Sequence, residues 1–509
     1  MAAIFNILHI PVNIISIGVA NIAASIYFWY DVLKNKRRQQ YGLHWLDLVF
    51  AVLLFLVVCS CMRDQFGSRL ELFYQTTDPA RHMIFAMDIV NTQSVSGMFF
   101  AQFNNAMFIE MVTPFLSSAF YSYIPFIIAD GCMLYLSGMM IYALMRKLCK
   151  NMFLRVVAIV LALVYVLGYP FNNMIFGFTY LGVGVTVVGL ILFAAEGYIR
   201  GDLKRHVSVA LLSIGLLELM LSYLLFVPVV MLAVFICLTV YLVKKKQFIK
   251  KKTLLEYGLI FLVPIVLGLL YSYSGIFNAP ATDTTVGSAI AREGPMYRSL
   301  YANFVIFMPF AAYAVLKLFH KKKISPVAVM FIILIAFIGI MLVFGLKGKV
   351  ASYYYYKNYF LLWLLYFYLA FYGIYYLAQK SMRFLCSYLG VWLLLALISF
   401  TNLEARIKSI NPLYSPELRT NQFFDVYFNN MNWTANGDPL GDERMDLYHY
   451  IYDNKGDGYV PAIASDNDKS WFEALTNQRI PDDQDDLYGS GQDALVPKIL
   501  ADDKAEYIL

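Results

Sequence analysis

The chain alternates between apolar runs of about twenty residues, long enough to cross a bilayer as a helix, and short segments rich in lysine and arginine. This pattern predicts an all-α polytopic membrane bundle. The predicted membrane-spanning helices are twelve, at residues 4–30, 45–62, 122–145, 153–169, 176–198, 207–223, 225–243, 254–275, 301–319, 326–346, 359–378 and 384–400. Segment 207–243 must cross twice in few residues, and Pro228 is the expected place of its turn.

The basic residues between the apolar runs predict the orientation of these helices. Of the 31 lysines and arginines that precede residue 401, 23 fall into six clusters, and the other 8 lie in the alternate connections. Because positively charged loops stay in the cytoplasm, the six clusters mark the inside and both termini are predicted outside. The clusters are Lys34–Arg38, Arg146–Arg155, Arg200–Arg205, Lys244–Lys252, Lys317–Lys323 and Lys380–Arg383.

Composition divides the chain into two parts. The whole is 60% hydrophobic and 15% charged, which excludes an ordinary water-soluble protein. Residues 401–509 differ, with 9 basic and 20 acidic side chains. We therefore predict a transmembrane domain at 1–400 and an acidic, extracytoplasmic domain of small α/β type at 401–509, on a multi-pass protein of the cell membrane.

Long outer connections are the expected place for chemistry, since long loops are commonly functional. The longest is 63–121, in which 78–93 and 98–112 are predicted to form helices along the membrane surface. Two others, 276–300 and 347–358, carry most of the remaining outer cations.

Asp78 is the candidate catalytic residue of the first outer loop. It begins a predicted helix with Pro79, and Arg81 and His82 follow three and four residues later, on the same side. A carboxylate beside a cation and an imidazole suits general-base chemistry on a lipid-phosphate substrate, with Arg81 or His82 at the phosphate. Alternatively, Asp78 only caps the helix, and one residue can also serve both purposes.

The outer cations beyond this loop form a second candidate site, for a phosphate or pyrophosphate group. A membrane-interface anchor is the alternative for each of them. These cations are Arg292, Arg298, Lys347, Lys349 and Lys357.

Three short motifs resemble patterns in Gram-positive membrane proteins encoded near surface-polysaccharide genes. They are Thr77-Asp-Pro-Ala-Arg-His82, Gly168-Tyr-Pro-Phe-Asn-Asn-Met-Ile-Phe-Gly-Phe178 and Ser352-Tyr-Tyr-Tyr-Tyr-Lys-Asn-Tyr359. With an Asp in the first large outer loop, the chain resembles the GT-C superfamily of integral-membrane glycosyltransferases.

This resemblance implies a polyprenyl-phosphate sugar donor in the lipid bilayer and a surface glycan or a lipid-linked molecule as the acceptor, as in cell-wall polysaccharide synthesis. Asp78 matches the catalytic base of GT-C enzymes. The acidic pair of better-known members is absent because Pro79 follows Asp78, so that Asp88 is the remaining candidate for a second carboxylate. A divalent cation, Mg or Mn, stays an open possibility.

Other functions remain as alternatives. A polysaccharide polymerase or ligase would use two large outer loops, and a flippase or transporter would need a polar path around the deep acids Asp130 and Glu218. No nucleotide-binding motif, zinc spacing or disulfide framework occurs in the sequence, and neither a metal ligand set nor a nucleic-acid partner is predicted.

Overall fold

The computed structural model describes residues 2–34, 44–74, 78–95, 102–248, 250–272, 304, 307–320, 324–349, 352–400, 440–454 and 466–477. Within these residues the protein is helical and contains no strand. The helices are α1 (Ala2–Ile7), α2 (Ile14–Lys34), α3 (Trp45–Phe66), α4 (Asp78–Thr92), α5 (Phe103–Val112), α6 (Tyr123–Arg146), α7 (Met152–Val166), α8 (Tyr169–Ile175), α9 (Thr179–Arg200), α10 (Arg205–Ser222), α11 (Val227–Lys244), α12 (Lys251–Tyr257), α13 (Val263–Ser272), α14 (Met308–His320), α15 (Pro326–Leu346), α16 (Ser352–Ala378), α17 (Met382–Phe400), α18 (Asp442–Asn454) and α19 (Asp466–Thr476).

Nine helical segments of the described residues are long and apolar enough to cross a membrane. Each coincides with a predicted span, and together they confirm a multi-pass helical membrane protein. The predicted count of twelve is not confirmed. The nine are Trp45–Phe66, Ala119–Arg146, Met152–Ile175, Thr179–Arg200, Arg205–Ser222, Leu224–Lys244, Lys251–Tyr271, Pro326–Leu346 and Lys357–Ala378.

The predicted double crossing of 207–243 has its break slightly earlier than expected. The α10 helix ends at Ser222, and Tyr223 has an extended backbone, with φ −151° and ψ 87°. Pro228 lies in the first turn of α11, where a missing N–H breaks no helical hydrogen bond. The turn therefore lies at 223–226 and not at the proline.

The predicted first span, 4–30, is wrong as one continuous helix. The chain leaves the helical conformation at 8–13, where Pro11 can neither donate the next helical hydrogen bond nor fit beside the preceding turn. The Oδ1 of Asn13 then accepts a hydrogen bond from the backbone N–H of Ser16 at 2.9 Å and starts α2.

One helix, α16, forms the centre of the bundle. Nearly every side chain from Lys357 to Ile374 is buried, and the helix packs against α7, α14 and α15. A helix that is apolar on all sides belongs inside a bundle and not at its lipid-facing surface. The first turns of α16 are therefore surrounded by other parts of the protein, and Lys357 there contacts Phe178.

The described part of the acidic tail consists of α18 and α19, and α19 packs against α4 of the first outer loop. Trp471 is 1% exposed and stacks on Tyr74, with 5.8 Å between the ring centroids. The strand content predicted for this domain is not confirmed, because both described segments are helical. The extracytoplasmic location and the boundary at 400 stay predictions.

Candidate active site

Asp78 is the first residue of α4, as the sequence predicts for a helix that starts at Asp-Pro. Its side chain is half-buried, whereas Pro79 and Ala80 are buried and fix the start of the helix against the bundle. The carboxylate therefore lies at the positive end of the helix dipole, at the edge of the protein interior. This position is compatible with both a cap and a reactive group.

His82 lies one turn further along α4 and makes a defined hydrogen bond. Its Nδ1 is 3.0 Å from the carbonyl oxygen of Gly177. Since a carbonyl oxygen can only accept, Nδ1 must carry the hydrogen, and in the neutral ring the lone pair is then on Nε2. The ring also packs edge-on against Tyr180, with 5.2 Å between the centroids.

The electrostatic surroundings of His82 favour its neutral form. Burial lowers the pKa of His82 below its ordinary value, and the positive charge of Lys357 acts in the same direction. The carboxylate of Asp78 and the hydrogen bond to Gly177 oppose this shift without cancelling it. With the hydrogen on Nδ1, a neutral His82 can accept a hydrogen bond or a proton at Nε2.

Lys357 reaches the same place from α16. Its side chain is fully buried, and Nζ lies 3.1 Å from the centroid of the Phe178 ring, a cation–π contact. Its charge interacts with the carboxylate of Asp78. Lys357 was predicted as an outer phosphate-binding residue, and its side chain lies inside the protein against Phe178.

The segment 168–178, the second of the three motifs, packs against both His82 and Lys357. It contains α8, whose seven residues are all buried. After α8, Gly177 takes a φ of +65°, a conformation that favours glycine. An added Cβ at Gly177 would lie 2.7 Å from the Cβ of Pro79, so only glycine permits this approach of the segment to α4.

The three motifs that carry the family resemblance therefore meet in space. His82 of the first motif bonds to Gly177 of the second, and Lys357 of the third packs on Phe178 of the second. Residues 82 and 177 are 95 positions apart in the chain, and Lys357 lies further on. Gly177 and Phe178 belong to the second motif, and nothing in the sequence alone predicts their contacts with His82 and Lys357.

Asp130 of α6 is hydrogen-bonded to residues on both sides of this site in the sequence, before Asp78 and after Gly177. Its carboxylate accepts a hydrogen bond from the Tyr74 hydroxyl at 2.8 Å, from the Asn105 amide at 3.4 Å and from the Thr179 hydroxyl. Tyr74 precedes Asp78 by four residues, and Thr179 follows Gly177 by two. Asp130 is thus a structural anchor of the first outer loop and of the start of α9.

The other predicted site residues that the structure describes are exposed or lie further along α4. Arg81 is exposed on α4, and Lys347 and Lys349 are exposed at the end of α15. Asp88 lies ten residues after Asp78 on the same helix, which separates them by about 15 Å along the axis. Arg292 and Arg298 lie outside the described residues.

The divalent cation that the resemblance left open stays a prediction. Asp78 and Asp88 are too far apart to share one ion, and the described ranges contain no group of three or more His, Cys, Asp or Glu residues that could hold a metal. We therefore derive no step through a metal ion.

No protein-family model matches the chain, and no curated protein matches it significantly. Among solved structures it is similar to the apo crystal structure of the Archaeoglobus fulgidus oligosaccharyltransferase, at 11% identity and a TM-score of 0.49. It is also similar to the oligosaccharyltransferase AglB of Archaeoglobus fulgidus in complex with an inhibitory peptide and a dolichol-phosphate, at 10% identity and a TM-score of 0.44.

Both alignments cover 85% of this chain, which spans only 64% of the length of the archaeal proteins.

Proposed function

We propose that this protein is a membrane glycosyltransferase that moves a sugar from a polyprenyl-phosphate-linked donor to a surface glycan or a lipid-linked acceptor on the outer face. One observation carries the proposal. Asp78 and His82 of the first motif and Lys357 of the third form one group of ionisable side chains at the starts of α4 and α16. His82 and Lys357 each contact the second motif, at Gly177 and Phe178. Such clusters, combining burial with charge partners, are more frequent at catalytic sites than elsewhere.

In the proposed reaction, Asp78 is the general base. It takes the proton from an acceptor hydroxyl, the hydroxyl oxygen bonds to the anomeric carbon of the sugar, and the bond from that carbon to the phosphate oxygen breaks. The polyprenyl phosphate leaves with the electron pair of the broken bond. Neutral His82 accepts a hydrogen bond at Nε2 from a second hydroxyl of the acceptor and so holds the attacking hydroxyl next to Asp78.

Lys357 and Arg81 have different roles in this scheme. Lys357 is buried against Phe178, so we assign it the positioning of this group of side chains and not the binding of the donor. Arg81 is exposed on α4, one residue before His82, and is the described cation placed to meet the charge that develops on the phosphate. Lys347 and Lys349 stay as additional phosphate-binding candidates.

The experiment that tests this function measures what happens to a radiolabelled sugar donor. Membranes that contain the overproduced chain supply native acceptors and receive a polyprenyl-phosphate-linked radiolabelled hexose. We expect label in the glycan or glycolipid fraction and an equal amount of free polyprenyl phosphate, both absent from membranes without the chain. Movement of intact donor between leaflets of proteoliposomes, with no cleavage, would contradict the proposal and support a flippase.

The cavity next to Asp130 gives the transport alternative no support. It has a volume of about 10 Å³, which is the room for about one water molecule and far less than a sugar needs. The polymerase or ligase alternative differs from the proposal mainly in the acceptor, which the same assay identifies.

A further inference from the structure

A second cavity lies at the other end of the bundle from the candidate active site. It has a volume of about 560 Å³, and its lining includes Glu196, Arg200, Lys244, Tyr372 and Gln379. The α9 helix starts beside Phe178 and ends at Arg200, and its 22 residues are about 33 Å long. The proposed sugar transfer therefore makes no use of this cavity.

The cavity is formed where predicted cytoplasmic loops come together. Arg200, Lys244 and Gln379 lie at or just after the ends of α9, α11 and α16, and Ser325 directly precedes α15. Each of these helix ends adjoins one of the basic clusters. Two of these clusters each contribute one cation to the lining of the cavity, Arg200 and Lys244.

The side chains around the cavity carry more positive than negative charge. The carboxylate of Glu196 is already engaged, since it accepts hydrogen bonds from Tyr368 at 2.8 Å and Tyr372 at 3.3 Å and pairs with Arg200 at 3.3 Å. Arg200 keeps 37% of its side chain exposed, and Lys244 is exposed. Lys150 lies at the rim, 5.7 Å from the ring centroid of Tyr375.

Glu196 and its partners hold the guanidinium of Arg200 in one orientation. A positioned guanidinium presents several N–H donors in a plane and suits phosphate oxygens, which accept them in pairs. Lys244 adds a second positive charge on a flexible side chain. The volume lies within the range of about 300–1,000 Å³ that is typical of small-molecule sites.

We infer that this cavity binds a phosphate-bearing anionic group, as found in the headgroup of an acidic phospholipid or in a soluble phosphate ester. Basic pockets between helices on the cytoplasmic side are typical sites for anionic headgroups. The same lining contains three tyrosines, a residue type that is enriched at the membrane–water interface: Tyr372, Tyr375 and Tyr376. The inference is independent of the proposed sugar transfer.

Thermal unfolding of the purified full chain in uncharged detergent tests the inference. Three probes are compared: dihexanoyl-phosphatidylglycerol, glycerol 3-phosphate, and dihexanoyl-phosphatidylcholine as the control without net charge. Binding to the folded state raises the melting temperature in proportion to the logarithm of ligand concentration over Kd. A rise with phosphatidylglycerol alone assigns the site to a lipid headgroup, and a rise with glycerol 3-phosphate as well assigns it to phosphate esters in general. No rise with either anion overturns the inference.

Two variants locate the binding. Lys244→Gln should raise the Kd for the active probe at least fivefold, whereas Lys245→Gln, an exposed neighbour that does not line the cavity, should not change it. Glu196→Gln removes the charge that neutralises Arg200 and should lower the Kd severalfold. These opposite effects are not expected from general destabilisation. An unchanged Kd in both Lys244→Gln and Glu196→Gln would overturn the site.

Discussion

At the scale of single residues, the hydrogen bond between His82 and Gly177 determines the chemistry that the imidazole can perform. With Nδ1–H donating to the carbonyl, only Nε2 can accept a proton, and burial keeps the ring neutral. The spacing of Asp78, Arg81 and His82 can be read from the sequence, but their surroundings cannot. The hydrogen bond that sets the tautomer of His82 comes from a residue 95 positions away and could not be predicted.

The lowered pKa of His82 predicts a dependence of stability on pH. In the unfolded chain a histidine becomes protonated near pH 6.5, whereas in the folded protein it resists protonation until lower pH. Between these two pKa values the unfolded state binds more protons, so stability falls as the pH is lowered through this window. The melting temperature of the wild type should fall from pH 7 to pH 5 more steeply than that of His82→Gln. Equal slopes would contradict a neutral, buried His82.

Asp130 yields a second prediction at this scale. Asp130→Asn keeps an acceptor oxygen but replaces the other with an amide, so that at least one hydroxyl or amide donor of the cluster loses its partner at a cost of about 1–3 kcal/mol. We expect a lower melting temperature and a partial loss of sugar transfer. Glu218→Gln, in half-buried surroundings on α10, is the comparison and should change transfer little. Complete loss of function in Glu218→Gln would instead favour ion-coupled transport.

At the scale of elements, the sequence predicts long helices well and short buried ones poorly. The helix predicted at 78–93 is observed at Asp78–Thr92, because Asp-Pro marks its start and its apolar residues recur with helical spacing. The α8 helix was missed, since all seven of its residues are buried and no alternation of polar and apolar positions marks a helix. The prediction of one helix at 4–30 was wrong because the apolar run is continuous across Pro11, whereas the helix is broken there.

Gly177 permits a test of how α8 and its following turn support the site. Gly177→Ala introduces a side chain at positive φ, which costs about 1–2 kcal/mol, and brings its Cβ against Pro79. We expect sugar transfer to fall at least tenfold because the start of α4 must move. Gly201→Ala is the matched control, since Gly201 also has a positive φ but nothing lies within 4 Å of an added Cβ. It should lose similar stability and keep its activity. Equal activity of the two variants would contradict the role of this contact.

At the scale of the whole molecule, the sequence predicted the nine long apolar helices that are found among the described residues. The cavity at the ends of α9, α11 and α16 is lined by Arg200 and Lys244, two cations of the basic clusters that are predicted on the cytoplasmic side. The meeting of the three motifs could not be predicted, because it depends on the packing of α4, α8 and α16 and on no local pattern. The docking of α19 against α4 is a further long-range contact of this kind.

The predicted topology can be measured by labelling single cysteines in a background without the six native cysteines. Tyr450→Cys lies at an exposed position of α18, and Lys251→Cys at an exposed position at the start of α12. A membrane-impermeant maleimide added to intact cells should label the first and spare the second, and should label both after permeabilisation. The reverse pattern would place the candidate active site on the cytoplasmic side.

The central claim, that Asp78 is the base of a sugar transfer, is tested most directly by the transfer rate of Asp78→Asn with a polyprenyl-phosphate-linked hexose. Asn caps a helix about as well as Asp, so the melting temperature should stay nearly unchanged. Loss of a general base lowers a rate by about 10²–10⁴-fold. Asp88→Asn, the same change at the far end of α4, controls for the loss of charge and should transfer at nearly the wild-type rate. The account predicts a folded and inactive Asp78→Asn protein, and near-normal transfer by this variant would contradict it and leave Asp78 as a helix cap.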